Sequence, residues 1–377
     1  MTHMKSRHGE GPARREVLAA LGLGTLAAGF MLAAPAAFAQ GASAEMVEAS
    51  RKEGTVTVFS NVGEVNWRPV IQAFNERYPW IKVQTLDLGA SEVFERFYAD
   101  QASGSATADI VVSSSAPQWI ELAGKDLILD YASPESGALP DWSKPLPGVY
   151  TLATDPFVIA YNKLVLPQDQ WPTSLSDLAA QAKADPSGFN KRMGTYAPNS
   201  SGFSQAMYYG YAKHAGEKAI ANFEVIGPMS ELYRSVGPVL EKITTGEYVA
   251  GYFISGISLF PLMRDPARQQ VIGWSFDKDG TVLMTRNVAI AKSSKEPNAS
   301  KLFLDFILSR DGQQAVGDGG LVPYRSDVDP TKYPSGLSFD TIRKDAGEAN
   351  VVVIGPDKEA VAQLSAFGAK TKALFKE

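Results

Sequence analysis

The chain has 377 residues, a formal net charge of −5 and no cysteine. The lack of cysteine excludes disulfides, thiolate metal sites and cysteine nucleophiles, and the acidic balance argues against nucleic acid as a partner. Without residues 1–39 the net charge is −7, because that segment carries four basic and two acidic residues. The rest of the chain is long enough for two domains of about 100–200 residues each.

The N-terminal segment is predicted to be a cleaved secretion signal. A basic stretch ends in Arg14 and Arg15, an apolar run covers residues 17–34, and residues 37–39 are Ala-Phe-Ala. Glycines interrupt the apolar run, which favours a signal cleaved after Ala39 over a retained membrane anchor. The two arginines fit a twin-arginine export signal and equally the basic start of an ordinary secretion signal. We therefore expect an exported protein that works in the periplasm.

The first part of the remaining chain predicts alternating helices and strands. The predicted elements are a helix over residues 44–53, a strand over 55–59, a helix that stops before Pro79, a strand over 81–86, a helix between Ser91 and Gly104, a strand over 109–112 and a helix that starts with a capping box at Ser115 and Gln118. This order implies parallel strands with helices on both faces of the sheet.

The second part of the chain predicts further elements of the same α/β class. They are a strand over residues 157–161, helices over 174–184, 200–215 and 237–244, a strand over 248–254, a hairpin turn at Asp279-Gly280, a strand over 281–284 that continues at 288–290, and a helix capped by Asn298. We expect the chain to cross into a second domain at 157–161 and to return at 281–290.

Two serine-rich segments are candidates for binding a small anion. In parallel sheets ligands bind beyond the carboxyl ends of the strands, and helix N termini with nearby hydroxyls favour a carboxylate, phosphonate or phosphate. Ordinary helix caps that face water explain both segments as well. The candidates are Ser60, Asn61, Ser113, Ser114 and Ser115 in the first domain, and Ser200, Ser201 and Gly202 in the second.

Further candidates lie near the predicted crossings. Arg286 and Tyr324 are placed to complete the site, since an arginine fork binds carboxylate or phosphate with two parallel hydrogen bonds; the neighbouring Arg325 fits a salt bridge equally well. Around the end of the strand over 248–254, the candidates are Tyr252, Ser255 and Gly256. A glycine there lets the backbone approach a ligand, while Tyr252 also fits the core.

Several segments resemble a known family in their order and spacing along nearly the whole mature chain. They are residues 51–54 (RKEG), 74–79 (FNERYP), 108–110 (ADI), 161–162 (YN), 245–247 (TGE), and 299–301 (ASK) through 312–313 (GQ). With these segments the chain resembles the periplasmic solute-binding proteins of ABC importers, in the branch that includes the ferric-iron-binding proteins.

The resemblance implies a two-lobed α/β fold of type II. Each lobe is expected to hold a mixed, mostly parallel sheet flanked by helices, and two hinge strands join the lobes. Lobe 1 is expected to comprise residues 44–153 plus 286–335, and lobe 2 residues 154–285 plus 336–377. The implied partners are a small-molecule ligand, held in the cleft between the lobes, and the inner-membrane ABC permease. We expect a monomer without enzymatic activity, cofactor or metal.

The same resemblance makes iron the alternative ligand. Iron-binding members carry a histidine after the first strand, a glutamate after the third and a tyrosine pair after the Gly-Glu motif, whereas this chain has Gly63-Glu64, Ser114 and Gly256-Ile257 at those places. Ferric ion prefers anionic oxygen ligands, and serines supply neutral hydroxyls instead. We therefore expect a small anionic or polar organic solute. The residues that keep the iron alternative open are Glu64, Tyr248 and Tyr252.

Two other classes of protein remain as alternatives. An exported hydrolase would need a nucleophile and a base, and His214 is the one histidine left after signal removal. The sequence has no Gly-x-Ser-x-Gly elbow, His-Glu-x-x-His motif or phosphate-binding loop. A sensor that presents its closed form to a membrane receptor instead of a permease has the same sequence features.

Overall fold

A computed structural model describes residues 43–377. The predicted secretion signal and its cleavage point after Ala39 lie outside these residues. Within them, no helix has both the length and the apolar character needed to cross a membrane.

Ten strands make up one continuous sheet in the described part of the chain. They are β1 (Thr55–Ser60), β2 (Lys82–Asp87), β3 (Ile110–Ser113), β4 (Val149–Asn162), β5 (Met193–Tyr196), β6 (Ser230–Tyr233), β7 (Ala250–Ser255), β8 (Ile272–Phe276), β9 (Thr281–Ile290) and β10 (Val351–Ile354). The strand order is β2-β1-β3-β9-β4-β7-β5-β6, with β10 paired to β9 and β8 paired to β4.

Fifteen α-helices surround this sheet among residues 43–377. They are α1 (Ala44–Glu53), α2 (Glu64–Arg77), α3 (Glu92–Ser103), α4 (Ala116–Gly124), α5 (Leu175–Ala184), α6 (Pro186–Phe189), α7 (Gly202–Ala215), α8 (Glu217–Ile226), α9 (Gly237–Thr245), α10 (Gly256–Leu259), α11 (Pro266–Val271), α12 (Pro297–Leu308), α13 (Arg310–Asp318), α14 (Phe339–Ala346) and α15 (Lys358–Phe375).

The predicted alternation of strands and helices in the first half is confirmed, with bounds that differ by one or two residues. Local chemistry explains these bounds. Gly54 ends α1 in the left-handed conformation, at φ 73°, which glycine adopts without steric cost. The helix before Pro79 stops at Arg77. The β-branched run that follows Gly54 forms β1, and β1 pairs in parallel with β2 and β3.

The sheet has two parallel halves joined by two long strands. One half contains β2, β1 and β3, and the other contains β6, β5 and β7. Between them β4 and β9 run antiparallel, β9 pairing with β3 and β4 with β7. Every residue of β4 and β9 is buried. This arrangement confirms the predicted two-lobed α/β fold with two connecting strands.

Aromatic clusters support both halves. The rings of Phe74 and Phe303 lie 4.9 Å apart in the half that contains β1, and those of Tyr208 and Phe253 lie 4.8 Å apart in the other. All four side chains are at least 95% buried. Edge-to-face pairs of this kind stabilise a core beyond their buried area, so the strand ends in each half rest on rigid packing.

The predicted hairpin turn at Asp279-Gly280 is wrong. A hairpin would pair β8 with β9, but β8 pairs with β4. Instead, the aspartates of this segment cap α5: the N–H of Leu175 donates to Asp277 Oδ1 (3.2 Å) and the N–H of Ser176 donates to Asp279 Oδ2 (2.9 Å). The segment carries the chain from β8 to the strand that connects the halves.

Two predicted helix caps are also corrected. The helix expected to be capped by Asn298 begins at Pro297, and its N–H groups at Asn298 and Ala299 donate to the carboxylate of Glu53. At the start of α4, the Ser115 hydroxyl donates to the side-chain carbonyl of Gln118 instead of accepting from the backbone. A carboxylate from a distant segment outcompetes the local cap in the first case, which sequence spacing does not reveal.

Candidate ligand-binding cleft

The carboxyl ends of β1 and β3 bring Asn61 and Ser114 together. Since β1 and β3 are parallel neighbours, the residues that follow them lie at the same edge of the sheet. The side-chain nitrogen of Asn61 donates to Ser114 Oγ (2.9 Å), and the Asn61 backbone N–H donates to Val112 O (3.2 Å). Ser114 is 2% exposed. Two residues predicted to bind ligand from separate strand ends therefore form one polar group.

The other candidates at this edge have internal partners. Ser60 Oγ accepts from Trp67 Nε1 (3.1 Å) and from the N–H of Val62 (3.0 Å). Ser113 Oγ donates to Ala90 O (2.7 Å) and accepts from the N–H of Ser115 (3.1 Å). These bonds fix the shape of the loops that carry Asn61 and Ser114.

Arg286 of β9 lies beside Asn61 and forms an ion pair with Asp155 of β4. Its Nη1 donates to Asn61 O (3.0 Å) and its Nη2 donates to Asp155 Oδ2 (3.1 Å). The side chains are 6% and 2% exposed, respectively. Removing one partner of such a buried pair typically costs about 3–5 kcal/mol, because the other charge is left without compensation. The pair therefore fixes the position of the guanidinium at the junction of the two halves.

Asp155 extends this contact to the carboxyl end of β7. Its carboxylate accepts from Ser255 Oγ (2.6 Å) and from the N–H of Ile257 (3.1 Å) in α10. The strand register shifts opposite Phe253, whose φ of 52° marks a bulge. Beyond that bulge the strand turns Ser255 towards Asp155. Sequence reasoning missed Asp155; the signal for it was an acidic residue two positions before the predicted apolar strand over 157–161, in what the structure shows to be the middle of β4.

Two buried polar atoms in this network have no hydrogen-bond partner in the described residues. They are Nε of Arg286 and Oδ1 of Asn61. An unsatisfied buried donor or acceptor costs about 1–3 kcal/mol. The first is a charged donor and the second is a neutral acceptor, and the two residues are in direct contact through the Arg286–Asn61 hydrogen bond.

The second serine segment caps α7, next to the start of α4. Ser201 is the N-cap of α7 and forms a capping box with Ser204, while Ser200 Oγ donates to Ala197 O (2.9 Å). A Cβ atom on Gly202 would lie 2.9 Å from Pro117 Cγ, so the close approach of the two helix N termini requires glycine. The structure thus places the two predicted serine segments side by side.

Tyr196, at the end of β5, is a further polar group near the ion pair that sequence reasoning missed. Burial raises the pKa of its hydroxyl, the charge of Asp155 raises it further and that of Arg286 opposes this. Its ring lies 5.6 Å from Phe203, in the first turn of α7. Both residues are partly exposed. The end of β5, like the ends of β1 and β3, was a place to expect such a residue.

A sequence model for bacterial extracellular solute-binding proteins matches residues 62–314. The chain belongs to this family. No curated protein matches the sequence significantly.

Solved structures show the same fold as this solute-binding protein. The substrate-binding protein of an ABC transporter from Agrobacterium tumefaciens has a TM-score of 0.73 at 19% identity, over 87% of this chain and 97% of that one. Iron-bound HitA from Pseudomonas aeruginosa has a TM-score of 0.62 at 20% identity, over 83% of this chain and 99% of that one. AfuA from Actinobacillus pleuropneumoniae, with fructose-6-phosphate bound, has a TM-score of 0.67 at 18% identity, over 86% of this chain and 99% of that one.

Three other predicted site residues of this solute-binding protein are held by packing or by hydrogen bonds to groups other than the ion pair. Tyr252 is fully buried, and its hydroxyl forms a hydrogen bond with Ser230 Oγ (2.9 Å). The Tyr324 hydroxyl donates to the backbone carbonyl of Thr151 in β4 (2.6 Å). Gly256 packs so closely that an added Cβ would lie 2.5 Å from Phe260 Cε2. These three positions have packing roles in the structure, and a role in binding stays a prediction.

The residues behind the alternative interpretations are dispersed. Within residues 43–377, no cluster of three or more His, Cys, Asp or Glu has the geometry to hold a metal ion. The hydroxyls of Tyr248 and Tyr233 are bonded to each other (2.5 Å), and Tyr252 bonds to Ser230. His214 is exposed near the end of α7. Arg325 forms ion pairs with Glu135 and Asp327, the structural role that its sequence context also fitted.

Proposed function

We propose that this protein is the periplasmic substrate-binding component of an ABC transporter. It captures a small anionic or polar organic solute between its two lobes and delivers it to the inner-membrane permease. One observation carries the proposal: polar groups from the carboxyl ends of β1, β3 and β7 meet around Arg286, on a strand that connects the two halves. A ligand that touches both halves favours their closure, since it binds the closed arrangement better.

The chemistry of these groups favours an organic solute over ferric ion. The contacts around Arg286 include the Asn61 amide, the hydroxyls of Ser114 and Ser255 and backbone N–H groups, which suit carboxylate, phosphonate or phosphate oxygens. AfuA, a protein of the same fold, has a ligand of this kind bound, fructose-6-phosphate. HitA is iron-bound, and ferric-iron binding is the alternative that the test must separate.

We propose the lobe division of residues 44–153 plus 286–335 and 154–285 plus 336–377, with one change. The ring of Phe339 in α14 lies 4.8 Å from Trp142, and the N–H of Phe339 donates to Pro323 O (2.9 Å). These contacts favour a boundary after Ala346, with α14 in lobe 1.

We propose that residues 1–39 direct export and that the mature protein is a periplasmic monomer. Mass spectrometry of the protein recovered from periplasm tests this: a first residue of Gln40 is expected. Pull-down of permease subunits by the liganded protein separates a transport role from a sensor role.

A thermal-shift screen tests the ligand class. The mature protein is heated with phosphates, phosphonates, carboxylates, amino acids, polyamines and ferric salts. A ligand at about a hundred times its Kd adds roughly 2.7 kcal/mol of stability, so a binder raises Tm. A shift by ferric salts alone, or hydrolysis of ester, phosphate or glycoside substrates that depends on His214, would overturn the proposal.

A pair of serine variants locates the site. Ser114→Ala removes the hydroxyl that accepts a hydrogen bond from Asn61. It is expected to raise the apparent Kd of the ligand, measured from the dependence of Tm on ligand concentration, at least threefold. Ser143→Ala is the matched control, because Ser143 is also fully buried and its hydroxyl donates to Pro140 O (2.7 Å) outside the cleft. Equal effects of the two variants would count against the cleft.

A further inference from the structure

The Arg286–Asp155 pair leaves the polar network around it without net charge. The positive guanidinium and the negative carboxylate compensate each other, and the other groups in contact with the pair, Asn61, Ser255 and the N–H of Ile257, are neutral. A dianion placed here would lose its hydration without meeting a net positive charge, which is unfavourable. The charge balance thus favours solutes with no net charge.

We infer, on the basis of the proposed function, that the transported solute is a zwitterion with an anionic group and a protonated amine. The two unpartnered atoms carry the inference. Arg286 Nε is a charged donor in a side chain that is 6% exposed, and an anionic oxygen is its natural partner. Asn61 Oδ1 is an unpartnered acceptor, and an ammonium N–H supplies the donor that it lacks. An anion that carries no hydrogen-bond donor satisfies the first atom and leaves the second unpaired, and an ammonium group is the donor that also balances the charge of that anion.

The surroundings favour the amine as well as the anion. Asp155 provides a buried negative charge for an ammonium group within the same network. Tyr196, a partly exposed residue, lies within electrostatic range of both members of the pair, and the face of an aromatic ring attracts a cation. Asp155 and Tyr196 thus attract the ammonium group of a zwitterion, and Arg286 attracts its anionic group.

Matched probes test this inference. Isothermal titration of the mature protein is performed with the common amino acids and aminoalkylphosphonates, their N-acetyl derivatives, and the dianions inorganic phosphate and glucose 6-phosphate. At least one zwitterion is expected to bind ten times or more tighter than its N-acetyl derivative. Tighter binding of an N-acetyl derivative or of a dianion would overturn the inference and leave the proposed function intact. Binding of none of these probes would overturn the inference, and the proposed function would fail as well only if no compound of the wider thermal-shift screen bound.

Two substitutions that change the charge in opposite directions add a second test. Asp155→Asn keeps the shape of the side chain and gives the network around Arg286 a net positive charge. It is therefore expected to weaken binding of the best zwitterion at least tenfold and to strengthen phosphate binding. Asn61→Asp gives the same network a net negative charge and is expected to weaken binding of the N-acetyl probes more than binding of the zwitterions. Asp305→Asn is the control, since Asp305 is a partly buried aspartate that accepts from Tyr131 and Ser133 away from the cleft. If Asp155→Asn does not fold, Asn61→Asp decides alone, and equal weakening of both probe classes would overturn the inference.

Discussion

The carboxylate of Glu53 caps helix α12 from a distant part of the chain. It accepts from the backbone N–H groups of Asn298 (3.2 Å) and Ala299 (2.6 Å), across 245 and 246 residues, and from the Asn298 side chain (2.7 Å). The first N–H groups of a helix lack internal partners, and the positive end of its dipole attracts an anion. One side chain therefore joins the last turn of α1 to the start of α12.

Replacing Glu53 is expected to destabilise the protein through this cap. Glu53→Ala should lower the free energy of unfolding by about 1–2 kcal/mol, the cost of losing a strong N-cap. Urea unfolding measures the change as a lower midpoint at constant slope. Glu48→Ala on the same helix is the control, because Glu48 forms an exposed ion pair with Arg51 (3.6 Å) that contributes little. Equal effects would show that the cap is energetically unimportant.

Asp277 is expected to make stability depend on pH. Burial raises the pKa of its carboxyl to about 7, and both its Oδ2 and the Tyr211 hydroxyl lack partners in the described residues. Because the pKa is higher in the folded than in the unfolded protein, the folded state binds the proton more tightly. The resulting stability is fully present below about pH 4 and is lost as the pH rises through 7.

Asp277→Asn should remove this dependence, since the amide stays neutral and its carbonyl still accepts from the N–H groups of Leu175 and Asp279. Relative to the wild type, the variant should gain on the order of 2 kcal/mol between pH 5 and pH 8. Thermal unfolding at the two pH values measures the difference. Asp141→Asn, at an exposed aspartate, is the control. A variant whose advantage is the same at both pH values would contradict the assignment.

Much of the fold was predictable because its signals are local. The apolar run after Gly54 and the helix that stops before Pro79 each depend on a few neighbouring residues. Asn61 and Ser114 could be placed at one edge of the sheet because parallel strands end on the same side. The contact of Arg286 with Asn61 follows from strand pairing over more than 200 residues, and no local pattern reports it.

The residues that sequence reasoning missed are those defined by distant partners. Asp155 lies in a strand that begins at Val149, eight residues before the start of the apolar run over 157–161 from which the strand was predicted. The predicted strand was too short because Pro156 interrupts the apolar pattern. Its partners, Arg286 and Ser255, come from other strands. The cap of α12 and the hairpin at Asp279 were predicted wrongly for the same reason: the true partners are distant in sequence, Glu53 for the N–H groups of α12 and β4 for β8.

Gln313 is expected to be essential for stability. It is fully buried, its side-chain nitrogen donates to Leu152 O (2.8 Å) and Ile307 O (3.1 Å), and its oxygen accepts from the N–H of Tyr324 (3.2 Å). Gln313→Met keeps the volume and leaves these backbone groups unpaired, at about 1–3 kcal/mol for each unsatisfied group.

Chemical denaturation of Gln313→Met should therefore show a loss of at least about 2 kcal/mol. The adjacent Gln314→Met is the control, because its contacts are long, at 3.4 Å to the N–H of Asp329 and 3.5 Å to the Tyr333 hydroxyl. A loss at Gln314 as large as that at Gln313 would mean that these buried bonds do not explain the effect.

The ion pair of Arg286 and Asp155 should show strong coupling in a double-mutant cycle. Arg286→Met leaves the Asp155 carboxylate buried without its cation, and a loss of about 3–5 kcal/mol is expected. Arg286→Met with Asp155→Leu removes both charges and should recover much of that loss, because replacing a buried pair by apolar side chains is often neutral. Urea unfolding of the four proteins measures the coupling. If the double variant were as unstable as the sum of the two single ones, the two charges would act independently, and the pair could not hold the guanidinium in place for a ligand.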